Sequence, residues 1–276
     1  MKMKKLYILL LAIATSIFML IACTNSDEKT SDKNNTSENK SSDDLLANIE
    51  GNGELLIGTE GTYPPFSFHD NSGKLTGFDV ELAEEVASRL GVKAKFMETQ
   101  WDAIFGGLDS KRFDVIANQV GIREDRLEKY DFSKPYISSA AVLVTNMDNG
   151  DVKSFEDIKG LQAAQSLTSN FADLAKSYGA TLVGVEGFNQ AIELINSKRV
   201  DVTINDKLSV LDFKKNKPDA AVKIVAEADD ASQSGFMFRK GNQTLVDAVN
   251  KALNEIIEDG TYEKISVKWF GENVLE

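Results

Sequence analysis

One cysteine, one histidine and four prolines are all that the 276 residues contain of these three types. With Cys23 alone there is no intrachain disulfide, and with His69 the single imidazole there is no His/Cys cluster to hold a metal. His69 lies in a polar His69-Asp70-Asn71-Ser72-Gly73 turn, the setting of a surface histidine rather than a catalytic one. Positive charge is scarce too. The formal charge of -12 gives no field to attract phosphates and argues against a nucleic-acid surface. The uncharged run from Leu6 to Ala22 is short for the ~20 residues that a membrane span needs.

What is present is a globular composition, 42% hydrophobic and 27% charged, with length for one large or two ordinary domains. Lys2, Lys4 and Lys5 precede the uncharged run, the layout of a secretory signal over residues 1–22, with a single membrane anchor as the alternative. Leu20-Ile21-Ala22-Cys23 resembles a bacterial lipobox, which implies a lipidated Cys23 as the new N-terminus. Two or more acyl chains on one residue give stable anchoring where a single chain does not. Residues 23–52 then read as the lipidated cysteine and a flexible tether, because Ser, Asn, Asp, Lys, Glu and Thr cannot bury enough surface to offset ordering entropy.

The chain is organised around Asn118-Gln119-Val120-Gly121-Ile122-Arg123-Glu124-Asp125-Arg126, which follows the apolar strand Phe113-Asp114-Val115-Ile116-Ala117. Ligands of open α/β sheets collect outside the carboxyl ends of strands. Gly121 allows close approach to the backbone, and Arg126 presents a planar fork suited to a carboxylate. Ser110-Lys111-Arg112-Phe113-Asp114-Val115 is echoed by Ser197-Lys198-Arg199-Val200-Asp201-Val202. The echo predicts two similar α/β lobes, each presenting a strand end to a shared cleft. Arg126 from one and Asp206 from the other would suit the carboxylate and ammonium of a zwitterion.

The remaining elements alternate. Glu54–Thr59 reads as a strand running into Glu60-Gly61-Thr62-Tyr63-Pro64-Pro65-Phe66, where the prolines enforce an extended turn. Leu82, Val86 and Leu90 share a helix face that Gly91 terminates. Trp101 opens a helix, as core or as a stacking platform. Thr168, Ser169 and Asn170 are N-cap types before Phe171, and a helix start offers free N–H groups to an anion. Ala141–Thr145 and Gly235–Arg239 are the expected crossings between lobes, and Leu245, Val249, Ala252, Leu253, Ile256 and Ile257 form an amphipathic helix. Strands alternating with helices mean α/β.

With these segments laid out, the chain from Gly53 onward resembles the polar amino-acid binding proteins of ABC importers, solute-binding protein family 3. The resemblance rests on Gly61-Thr62-Tyr63-Pro64-Pro65-Phe66, Gly77-Phe78-Asp79-Val80, Tyr130-Asp131-Phe132-Ser133-Lys134-Pro135-Tyr136, Asp259-Gly260-Thr261-Tyr262 and Lys268-Trp269-Phe270-Gly271. Trp101-Asp102-Ala103, Asn118-Gln119-Val120 and Gln165-Ser166-Leu167-Thr168-Ser169-Asn170 look most like its cystine-binding members.

The resemblance implies the two-lobed periplasmic-binding-protein fold (type II), two Rossmann-like lobes joined by two crossover segments. Lobe 1 would be 53–140 plus 233–276, and lobe 2 would be 141–232. It also implies that Arg126 grips the α-carboxylate, helped by N–H groups near Gly121 and by Thr168, Ser169 or Asn170, and that Asp206 takes the α-ammonium. Tyr63 and Trp101 would flank the ligand, with Glu60, Asn118 and Gln119 lining the side-chain pocket. Many relatives carry Ser or Thr where this chain has Gly121, so a hydroxyl contact is missing. The implied protein is a monomeric, lipid-anchored receptor on the extracytoplasmic face of the cell membrane, without cofactor, metal or nucleic acid, passing an amino acid to an ABC permease. Cystine is the expected ligand, and glutamine or arginine could satisfy the same charges. A cyclic-acid dehydratase using Glu60, or a sensor module with a signalling partner, are the rival readings.

Overall fold

A computed structural model describes residues 44–275. The expectations for the signal segment 1–22 and for Cys23 lie outside those residues. Two five-stranded sheets carry the described chain. The first runs, from edge to edge, Lys93–Glu98, Glu54–Thr59, Val115–Ile116, Met237–Arg239 and Tyr130–Phe132. The second runs Thr181–Gly184, Gln162–Gln165, Val202–Asp206, Ile137–Asn146 and Val222–Ser234. In both, the first three strands are parallel and the fourth is antiparallel to its neighbours. The same order occurring twice is the two-lobed arrangement that the repeated hexapeptide predicts.

The repeat itself does the same structural job in each lobe. Lys111 and Lys198 adopt left-handed φ angles of 60° and 55°. The next residue's N–H then bonds back to the preceding helix, Arg112 to the Gly107 carbonyl and Arg199 to the Leu194 carbonyl. Asp114 and Asp201 accept the backbone N–H of Leu56 at 3.1 Å and of Gln162 at 2.8 Å, each on the neighbouring central strand. The echo is therefore a device for turning a helix into a strand and pinning it to the sheet. The ligand-facing residues follow it.

Apolar side chains fill both faces of each sheet. The first sheet packs Ile57, Leu82, Val86, Leu253 and Ile256 on one side. Trp101, Ile104, Leu108 and Phe113 lie in the cluster on the other. Helix Phe78–Arg89 begins after Gly77, whose φ of 134° suits glycine alone, and a Cβ there would stand 2.1 Å from the Phe66 carbonyl oxygen. That oxygen accepts the Asp79 N–H and cannot retreat without breaking the helix start. Gly77→Ala is expected to cost about 3 kcal/mol in urea unfolding. Gly121→Ala meets nothing nearer than Arg126 Nη1 at 3.6 Å and should leave stability within about 0.5 kcal/mol.

Two expectations are corrected. The tether does not extend to residue 52, because Leu45–Asn52 is a helix. Asp44 caps it by accepting the Leu46 N–H and also takes the Thr244 hydroxyl, while Ile49 is buried in the core of the first lobe. Three apolar residues at helical spacing suffice once that core is there to receive them. The crossings also run differently from expectation. Strands Ile137–Asn146 and Val222–Ser234 pair with each other, from Val222↔Asn146 to Ser234↔Ile137. The return is thus complete by Ser234, and Met237–Arg239 already belongs to the first sheet. The Trp269-Phe270 motif closes a helix, Thr261–Phe270.

Candidate ligand-binding site

The carboxyl ends of the parallel strands of both sheets converge on one cavity of about 730 Å³, counting space open to solvent. Glu60 follows the first strand, Trp101 the Lys93–Glu98 strand and Asn118 the Val115–Ile116 strand. From the facing lobe, Gln165 ends one strand and Asp206 ends another. Glu60, Tyr63, Trp101, Asn118, Gln119, Gly121, Ser169, Asn170 and Asp206 all line the cavity. Buried strand ends expose unpaired backbone and short loops there, which is why a ligand site forms at that edge.

Asn118 is wholly buried and serves its neighbours. Its Oδ1 accepts from Thr59 Oγ1, Ser67 Oγ and the Glu60 N–H, at 2.8–3.1 Å. Its Nδ2 donates to Glu60 Oε2 at 2.7 Å, which leaves Oε1 directed across the cleft toward Gly187. Burial pushes the Glu60 carboxyl up to about 7, against the stabilising bond from Asn118. Gln119 is held similarly. With a φ of 52°, it donates its N–H and Nε2–H to the two oxygens of buried Asp79, at 2.8 and 2.7 Å.

Asp206 has two tasks. Oδ1 caps helix Lys207–Asn216 by accepting the N–H groups of Leu208 and Ser209. The other oxygen is free of the cap, and Asp206 and Ser139 both line the cavity. Burial raises its pKa to about 6, with Ser139 and the two cap N–H groups pulling the other way.

Arg126 stands one layer behind the wall. Its guanidinium lies 5.5 Å from the Trp101 ring centre and 5.3 Å from that of Phe105, and Nη1 donates to the Gly121 carbonyl at 3.0 Å. Burial lowers its pKa to about 10. Its neighbour Arg123 takes Asp125 and Asp173, both at 2.9 Å, whereas Arg126 forms no ion pair among the described residues. A Cβ at position 121 would stand 3.6 Å from Arg126 Nη1, so glycine there leaves that side of the guanidinium uncovered.

Thr168 is not in the wall. Its N–H and hydroxyl bond Asp102 Oδ1 at 3.1 and 2.7 Å, outside the cavity. Ser169 is the N-cap of helix Asn170–Ser177, accepting the Ala172 N–H, so only one of the three capping candidates has that position. Sequence reasoning missed Ser139, Ser232 and Ser234, which enter from the two crossover strands, and the Phe171 and Phe188 rings. Gln165 could have been found as a polar residue closing a strand. Two donors of the wall are buried without a partner: Trp101 Nε1 and Gln165 Nε2. A buried donor without an acceptor is costly, so a polar ligand is the natural complement.

Two lobes closing on a cavity with one buried cation, two buried carboxylates and unpartnered donors define a binding protein for a small charged solute. Residues 55–272 match the bacterial extracellular solute-binding proteins, family 3, and the chain belongs to that family. It is 52% identical over 268 residues, 97% of this chain and 98% of the other, to the L-cystine-binding protein TcyA of Bacillus subtilis (strain 168). Among solved structures, the unliganded, open L-cystine solute receptor of Neisseria gonorrhoeae is 48% identical, with a TM-score of 0.56 over 84% of this chain and 99% of that one. An ancestral arginine-binding protein bound to glutamine is only 40% identical, yet reaches 0.77 over 80% of this chain and 99% of that one. In the present structure the lobes are in contact across the cleft, through Tyr63 Oη to Asn205 Oδ1 and Thr168 Oγ1 to Asp102 Oδ1.

No helix among the described residues is long and apolar enough to cross a membrane. No group of three or more His, Cys, Asp or Glu among them could hold a metal ion.

Proposed function

We propose that this chain is a lipid-anchored receptor that captures L-cystine between its lobes and delivers it to an ABC import permease. One observation carries the reading: among the described residues, buried Arg126 has no carboxylate partner, while buried Glu60 and Asp206 have no cation. Buried charges must be paired, so the missing partners belong to the ligand. Arg126, with the unpartnered donors nearby, receives a carboxylate. Asp206 receives the adjacent ammonium through its free oxygen. Cystine has a second ammonium, and Glu60 offers a second carboxylate for it.

The cystine-binding relatives support the same choice. Lipidation of Cys23 would hold the receptor at the extracytoplasmic face, and the chain would act as a monomer without catalysis. Its first lobe would span 53–140 plus 233–276 and its second 141–232, with the exchange made on the paired crossover strands.

A thermal-shift screen against L-cystine, L-arginine, L-glutamine and the other common amino acids tests this. A ligand at 100 times its Kd adds about 2.7 kcal/mol, roughly 5 °C or more for a domain of this size. A shift with cystine at the lowest concentration is the expected result. A larger shift with arginine or glutamine would replace cystine while keeping the class.

A second reading, a dehydratase, has one observation in its favour: a carboxyl at about 7 suits a general acid at neutral pH. Product formation from cyclic acids, abolished by Glu60→Gln, would be needed to establish it.

A further inference from the structure

Outside the cavity, one cluster ties the two lobes together. Asp102, in the first turn of helix Trp101–Asp109, sends its carboxylate to a loop of the second lobe. Oδ2 accepts the Leu167 N–H at 3.3 Å, and Oδ1 accepts both the Thr168 N–H at 3.1 Å and its hydroxyl at 2.7 Å. Three donors on one carboxylate, all from two consecutive residues, form a fork that a single geometry satisfies.

Both ends of this fork adjoin the wall. Trp101 precedes Asp102 and stacks on Arg126, while Ser166, Ser169 and Asn170 flank the bonded pair and line the cavity. Other contacts across the cleft engage single groups, such as Tyr63 Oη to Asn205 Oδ1 at 2.7 Å and Gln100 Nε2 to Glu186 Oε2 at 3.0 Å.

We infer that Asp102 is a positioning residue for ligand retention. It never meets the ligand, but it draws the Ser166–Asn170 loop onto the Trp101–Arg126 side of the cavity and sets how slowly the closed complex opens. Its bonds exist only when the lobes are together, because donors and acceptor lie on opposite lobes. They stabilise the closed complex and contribute nothing to the first encounter, so their loss speeds dissociation and leaves association unchanged. The assignment rests on the amino-acid receptor reading above.

Stopped-flow tryptophan fluorescence of the folded chain with L-cystine tests it, using Asp102→Ala, Asp102→Asn, Thr168→Val and the Asp102→Ala/Thr168→Val pair. Asp102→Ala is expected to raise the dissociation rate about tenfold, the equivalent of 1.4 kcal/mol, with association within about twofold of wild type. Asp102→Asn keeps an acceptor oxygen and should fall between the two. Thr168→Val removes the hydroxyl without touching the Asp102 helix, and combined with Asp102→Ala it should add nothing, since both changes break the same bond.

Unchanged dissociation in Asp102→Ala, or effects that multiply in the pair, would overturn the assignment. So would a loss confined to the unliganded protein's Tm, because it would mean that Asp102 serves only its own helix. Wild-type protein that binds neither cystine nor any other amino acid would instead overturn the receptor reading beneath it.

Discussion

Arg126→Ala is expected to weaken cystine binding by roughly a hundred- to several-thousand-fold, the 3–5 kcal/mol that follows when one partner of a buried charge pair is removed. In the bound complex the ligand carboxylate would be left in a closed cleft facing Trp101 and Gln165 without a compensating cation. The unliganded protein should hardly notice. It loses the bond to the Gly121 carbonyl and the contacts with the Trp101 and Phe105 rings, but is relieved of a buried guanidinium that has no carboxylate. Calorimetry for affinity and a melting curve without ligand separate the two effects. Arg126→Lys keeps the charge but not the two-pronged donor geometry, and should recover only part of the affinity. Normal binding by Arg126→Ala would place the carboxylate elsewhere.

Acid should loosen the complex as well. In the closed, empty cleft burial raises Asp206 to about 6 and Glu60 to about 7, since each would otherwise be an unpaired buried anion. A bound ammonium favours the ionised form and lowers both values, so capture releases protons. The sign follows from linkage: the form with the depressed pKa is favoured above the pKa of the empty site and loses its advantage as pH falls. Affinity is therefore expected to be nearly level above about pH 7 and to decline below pH 6, by about tenfold per pH unit for each carboxylate that must give up its proton. Closure without ligand follows the opposite trend. It is easier in acid, when both groups are neutral, and is opposed at pH 8, when both must be buried as anions. Binding enthalpies measured at pH 6.5 in buffers of different ionisation enthalpy would report the released protons. Asp206→Asn should flatten its share of the profile, and an unchanged profile would mean that Asp206 does not meet the ammonium.

Several particular residues show how far the chain could be read in advance. The Ser-Lys-Arg-x-Asp-Val repeat is legible because its turn is local, a left-handed lysine joining helix to strand, although its aspartates bond to neighbouring strands 58 and 39 residues away. Glu60, Asn118, Gln165 and Asp206 can be located because polar residues interrupting the ends of apolar strands stand out. The same local evidence misplaces Thr168. As a cap type before a helix it is indistinguishable from Ser169, and only the approach of Asp102, 66 residues away in sequence, draws it outward. Ser139, Ser232 and Ser234 give no local signal either, since they reach the cavity through the pairing of strands that lie about 90 residues apart. Helix Leu45–Asn52 was hidden for a related reason. Its one fully buried residue, Ile49, is unremarkable until the core of the first lobe is assembled around it.

What the sequence determined by itself is the α/β class, the duplicated lobe and the inventory of charges at the strand ends, because periodicity, turns and polarity are properties of neighbouring residues. The tertiary structure decided which of those charges are left unpaired. Asp79 is taken by Gln119, Arg123 by Asp125 and Asp173, and Asp102 by the Thr168 loop, whereas Glu60 and Asp206 line the cleft and Arg126, one layer behind its wall, has no ion pair among the described residues. Whether a charge has a partner depends on distances and burial set by the whole fold, and no spacing along the chain contains that information.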